Sequence, residues 1–108
     1  MPLKFLNFVT LSALLFFCGN SVLHAEIDGE ELQQMMQSEA GREVAQRYID
    51  DVWQKWNGGL FCIPEGDRQK LAFDAVGSYL DSNPGQLYRP RRYLIVQALR
   101  NGFVCAAR

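Results

Sequence analysis

The stretch "REVAQRYIDDVWQKW", residues 42–56, decides the fold. Val44, Tyr48, Val52 and Trp56 recur at every fourth position, and Ala45, Ile49 and Trp53 form the row beside them. Arg42, Glu43, Arg47, Asp50, Asp51, Gln54 and Lys55 fill the other positions. One broad apolar stripe with a charged back is the pattern of an amphipathic helix that buries one side. Asn57-Gly58-Gly59 ends it, because glycine takes the backbone conformations that close a helix.

Working outward, Asp28 caps a first helix over 29–38, with Glu30 and Glu31 in the acid-favouring first turn. Leu32, Met35 and Met36 give it an apolar face, and Gly41 marks a break or weak point after it. Asp67 caps a third helix over 68–82, in which Leu71, Ala72, Ala75, Val76, Tyr79 and Leu80 keep the helical spacing. Ser82-Asn83-Pro84-Gly85 stops it. Pro90 suits the first position of a fourth helix over 90–101, whose apolar face is Leu94, Ile95, Ala98 and Leu99. No stretch sustains the alternation of a strand. The sequence predicts an all-α domain, four helices around one core.

The first 25 residues read as a secretory signal peptide. Lys4 is the only charge before Glu26, and "FVTLSALLFFC", residues 8–18, is an apolar run too short for an ordinary membrane span. Cleavage is expected after Ala25, leaving residues 26–108 as one exported domain with no membrane attachment. Cys18 leaves with the signal; a lipoprotein would need a small residue where Phe16-Phe17 stand. The exported domain keeps Cys62 and Cys105. Two cysteines in a small exported domain read as a disulfide, with free or redox-active thiols as the alternative. Both lie just after helices, where a bridge distorts neither. Such a staple helps a chain whose core is marginal in size.

Charge and histidine content narrow the function. Without Lys4, ten of the eleven basic side chains remain against twelve acidic ones. A slightly acidic exported domain is no candidate for general nucleic-acid binding. His24, the single histidine, is lost with the signal, so no histidine is left for acid–base catalysis or for ordinary zinc coordination. The expectation is a protein without enzymatic activity, catalytic residues, metal or cofactor.

The segment "YRPRRY", residues 88–93, is the best candidate for partner contact, through Tyr88, Arg89, Arg91, Arg92 and Tyr93. Arg91 and Arg92 fall in the first turn of the fourth helix, where positive charge opposes the helix dipole. That cost invites a compensating acid, from within the chain or from a partner. Trp53 and Trp56 read as core side chains or as an interface anchor. Asp50 and Asp51, adjacent on a helix, do not face each other and read as a solvated surface.

The stretches "RYIDDVWQKWNGGLFCIPEG", "LAFDAVGSYLDSNPGQLYRP" and "LIVQALRNGFVC" resemble the Rap/Tai family of type VI secretion immunity proteins. The shared landmarks are Tyr48, then Phe61-Cys62-Ile63-Pro64 with Gly66, then Tyr79-Leu80 with Pro84, and last Ala98-Leu99 leading to Phe103-Val104-Cys105. The resemblance covers residues 28–105. It implies a small helical protein of the periplasm that self-associates as a homodimer. Its partner would be a peptidoglycan amidase effector, blocked by occlusion. Many family members carry a second cysteine pair where this chain has Met35-Met36 and Ala45, and proline often stands at the position of Val104. A periplasmic acid-stress chaperone of similar build is the alternative, and a structural subunit of the envelope a third.

Overall fold

The computed structural model describes residues 26–106, so the expected signal peptide and its cleavage site lie outside the described residues. Four helices follow in order: α1 Gly29–Gln37, α2 Glu39–Trp56, α3 Arg68–Ser82 and α4 Arg91–Gly102, with a 3-10 turn at Pro84–Gln86. No strand occurs among the described residues, and the all-α expectation holds.

α1 and α2 are separated by one residue. Ser38 closes α1 by donating its backbone N–H to the carbonyls of Gln34 and Met35. Its Oγ opens α2 by accepting from the Gly41 N–H at 2.9 Å. The break thus falls at Ser38, and Gly41 belongs to the first turn of α2. A Cβ on Gly41 would lie 2.8 Å from Met35 Cα and 2.9 Å from its carbonyl oxygen. Glycine there is a requirement of close approach, which explains why the expected weak point sits inside a helix.

The core draws on all four helices. Leu32 and Met36 come from α1, Ala45, Ile49 and Val52 from α2, Ala72, Val76 and Leu80 from α3, and Leu94, Ile95, Ala98 and Leu99 from α4. The broad stripe of α2 is centred on Ala45, Ile49 and Val52, at spacings of four and three. Tyr48 and Trp53 sit half-buried at its flank, and Trp56 at its end is exposed. The Trp53 indole N–H donates to Asp50 Oδ1 at 2.9 Å, and Gln46 and Gln69 donate to the same carboxylate. Asp50 is therefore a half-buried tie between α2 and the start of α3, not a freely solvated acid. Asp51 stays exposed.

The start of α1 is laced to the start of α4. The Gly29 N–H donates to the Arg89 carbonyl, the Glu30 N–H to the Leu87 carbonyl, and the Arg91 N–H to the Ile27 carbonyl, at 3.0, 3.1 and 3.0 Å. These bonds satisfy amides that a helix start otherwise leaves without partners. Pro90 is the cap rather than the first helical residue, because its extended ψ of 145° turns the Arg91 amide toward Ile27. Gly29 is buried in this junction. A Cβ there would collide with Leu94 Cδ1 and stand 3.0 Å from the Leu87 carbonyl oxygen. Gly29→Ala is expected to cost about 1–3 kcal/mol by overpacking. Gly85→Ala, with nothing near its added Cβ, should stay within about 0.5 kcal/mol. Urea unfolding of the two variants checks the contrast.

The corner between α2 and α3 is stapled to the chain after α4. Cys62 and Cys105 form a disulfide with their Cα atoms 4.8 Å apart. Around it the backbone is well satisfied. Asn57 Oδ1 accepts from the Ile63 N–H at 2.8 Å, the Gly58 N–H donates to the Phe61 carbonyl at 2.7 Å, and the Cys62 N–H donates to the Phe103 carbonyl at 2.8 Å. Gly58 takes φ +92°, a conformation other residues adopt only with strain. With its polar groups engaged, the loop can lower Phe61 and Ile63 into the core.

Candidate functional site

The expected contact segment lies where the turn after α3 runs into α4. Tyr88 is 70 % exposed, and Tyr93 is exposed as well. The Arg89 guanidinium lies 4.7 Å from the Tyr93 ring centroid and 5.4 Å from that of Tyr88, and its Nε donates to Gln86 Oε1 at 2.8 Å. A cation between two ring faces is attracted by both. Tyr88, Arg89 and Tyr93 are thereby brought into one cluster.

The two arginines in the first turn of α4 part ways. The Arg91 side chain is only 19 % exposed; its guanidinium stacks 3.8 Å from the Tyr48 ring centroid, and its Nη2 lies 3.7 Å from Glu26 Oε1. Its Nε is buried with no hydrogen-bond partner. Arg92 shares the same Glu26 oxygen at 3.8 Å but is 68 % exposed. The acid that offsets the helix dipole is thus internal. Arg91 belongs to the scaffold, while Tyr88, Arg89, Arg92 and Tyr93 face outward or partly outward.

A second group joins this segment along α4. With Leu94, Ile95, Ala98 and Leu99 buried, Tyr93, Gln97 and Arg100 stand at spacings of four and three on the opposite side of the helix. Gln97, Arg100 and Asn101 line a groove of about 420 Å³ together with Leu60, Tyr79, Val104 and Cys105. The groove runs from the outer face of α4 to the disulfide corner. Leu60, Val104 and Trp56 are all exposed at this end, and Lys55 Nζ lies 5.3 Å from the Trp56 ring centroid.

Charge is divided along the chain in the same sense. Residues 82–106 contain four arginines, at 89, 91, 92 and 100, and no aspartate or glutamate. Residues 26–81 contain all twelve acids against five basic side chains. Counting charge by segment would have found this in the sequence. The exposure of Leu60 and Val104 could not be found that way, because Leu60 adjoins Phe61 and both read equally as core.

A concavity of about 470 Å³ between α2 and the start of α3 is lined by Arg42, Gln46, Asp67, Gln69, Lys70, Phe73 and Asp74. Its lining holds two basic and two acidic side chains. Lys70 Nζ lies 2.8 Å from Asp74 Oδ2, and that hydrogen bond, with the charge behind it, holds the Lys70 pKa above its ordinary value.

No group of three or more metal-binding side chains comes together among the described residues, and none of their helices is long and apolar enough to cross a membrane. Comparison with protein-family models, with curated proteins and with solved structures found no match.

Proposed function

We propose that this protein is a periplasmic immunity-type inhibitor that binds a type VI secretion peptidoglycan amidase and occludes its active site. The observation that carries the reading is the Tyr88–Arg89–Tyr93 cluster, pre-set by stacking and presented on a disulfide-stapled helical scaffold. Tyrosine and arginine are the side chains that most often dominate binding energy at interfaces. A surface already in its bound shape loses little entropy on association. The landmarks of the family resemblance serve that scaffold: Phe61, Ile63, Leu80, Ala98 and Leu99 are buried, and Cys62 is joined to Cys105.

Inhibition by occlusion asks for a rigid surface and no catalytic group, so the protein acts by binding and not as an enzyme. A typical inhibitor contact covers about 800 Å² on each partner. A homodimer belongs to the same reading.

The test is periplasmic co-expression with an amidase encoded beside this gene. Protection from lysis is expected, and it should be lost when Tyr88 and Tyr93 are both changed to alanine. Unchanged lysis in cells that accumulate the intact, disulfide-bonded protein would overturn the reading.

A further inference from the structure

Exposed apolar side chains and incompletely paired arginines occur together along α4 and at the stapled corner, and we infer that this surface docks a protein whose own surface is acidic around an apolar ridge. The inference deepens the immunity reading and rests on it for the class of partner, though not for the location of the surface.

Three observations converge. The exposed large apolar side chains are Trp56, Leu60, Tyr88, Tyr93 and Val104. Tyr93 belongs to α4 and Tyr88 to the turn before it, Leu60 and Val104 to the stapled corner and the chain after α4, and Trp56 to the last turn of α2; none belongs to α1 or α3. Next, the positive charge here is only partly matched from within. Arg89 and Arg100 form no salt bridge among the described residues, and Arg92 shares one carboxylate, that of Glu26, with Arg91. Finally, the surface is concave beside Leu60 and Val104, in a groove that Tyr79, Gln97, Arg100 and Asn101 complete with polar groups.

Charge and shape select the occupant. A second copy docked face to face by a two-fold axis would set Arg89, Arg92 and Arg100 against the same arginines, since such an interface pairs a patch with itself. Like charges brought together at an interface are costly. Any homodimer is therefore expected to use a different face. An anionic membrane would satisfy the charge but, being flat on this scale, would leave the groove empty. A protein ridge fills it, with acidic groups on either side meeting Arg89 and Arg100. The other concavity is lined by Arg42 and Lys70 against Asp67 and Asp74, so it offers an acidic surface no net attraction.

The experiment uses protein purified from the periplasm with its disulfide intact, and two synthetic peptides. One carries Glu and Asp around Leu and Trp; the other has Lys at each acidic position. Backbone amide shifts are followed at low salt, about 50 mM, where screening is weak. The acidic peptide is expected to move residues 88–93 and 97–104, and the basic peptide to move neither. Arg100→Gln, which removes charge without opposing the helix dipole, should weaken the acidic peptide about tenfold, and Arg42→Gln less than about twofold. No shift, shifts centred on the Arg42 side, or equal response to both peptides would overturn the inference.

Two further outcomes would also overturn it. One is a dimer that Arg100→Gln disperses in sedimentation, which would give the surface to a second copy. The other is binding to phosphatidylglycerol vesicles that Arg100→Gln abolishes when the peptide has no effect. If the neighbouring amidase fails to bind while the acidic peptide maps to residues 88–104, the immunity reading falls and the docking surface stands.

Discussion

Replacing Cys62 and Cys105 together by alanine is expected to lower the melting temperature by about 15–30 °C. The bridge spans 43 residues. Closing a loop of that length removes enough freedom from the unfolded chain to stabilise the fold by about 4 kcal/mol. For a domain of this size each kcal/mol corresponds to about 4–8 °C. Total stabilities of small domains run about 5–15 kcal/mol, so the change takes a large share of what holds the chain folded.

The bridge also has a local task. It fastens the α2–α3 corner to the segment that follows α4, beside the bond from the Cys62 amide to the Phe103 carbonyl. Without it, that single hydrogen bond would hold the junction, and the groove bounded by Leu60 and Val104 would lose one wall. Thermal unfolding of the oxidised protein, the double variant and the reduced protein checks the expectation. The reduced protein and the double variant should melt together. A loss below about 5 °C in both would show that packing around Phe61 fixes the corner without the bridge.

Much of this architecture follows from the sequence by elementary rules. The helical spacing and the Asp28 and Asp67 caps placed all four helices within a few residues. Cys62 and Cys105, the cysteines that follow the expected signal peptide, pair as the sequence predicts. The residues that escaped are those whose roles depend on distant neighbours. Gly41 looked like an interruption, yet only glycine lets Met35 approach so closely. Asp50 reads as solvated, yet beyond its local partners Gln46 and Trp53 it ties α2 to α3 through Gln69, 19 residues away. Arg91 was grouped with its neighbours, but Tyr48, on another helix, takes its guanidinium. Periodicity reports which side of a helix is buried. It does not report which polar group on the margin finds a partner across the fold.

Phe61 and Leu60 carry the sharpest expected contrast in the chain. They are adjacent and both apolar, yet Phe61 is 0 % exposed and Leu60 is 43 % exposed. Phe61→Ala is expected to cost about 3–5 kcal/mol, from lost burial and from the cavity left behind. The corner cannot readily collapse into that cavity. Asn57 Oδ1 holds Ile63, the Gly58 amide holds the Phe61 carbonyl, and the disulfide holds Cys62. Each bond keeps the loop where it was, so the cost should fall near the upper end of the range. Leu60→Ala should change stability by less than about 0.5 kcal/mol, because Leu60 is not part of the buried cluster. Its effect belongs to association instead, as a weaker grip on whatever fills the groove beside Val104. Urea unfolding measures the first difference, and binding of the acidic peptide measures the second. If Leu60→Ala proved as destabilising as Phe61→Ala, the corner would be buried through both side chains and the groove could not be a free surface. If Phe61→Ala cost less than about 1 kcal/mol, Phe61 would not be the anchor that joins α2, α3 and the end of α4 into one core.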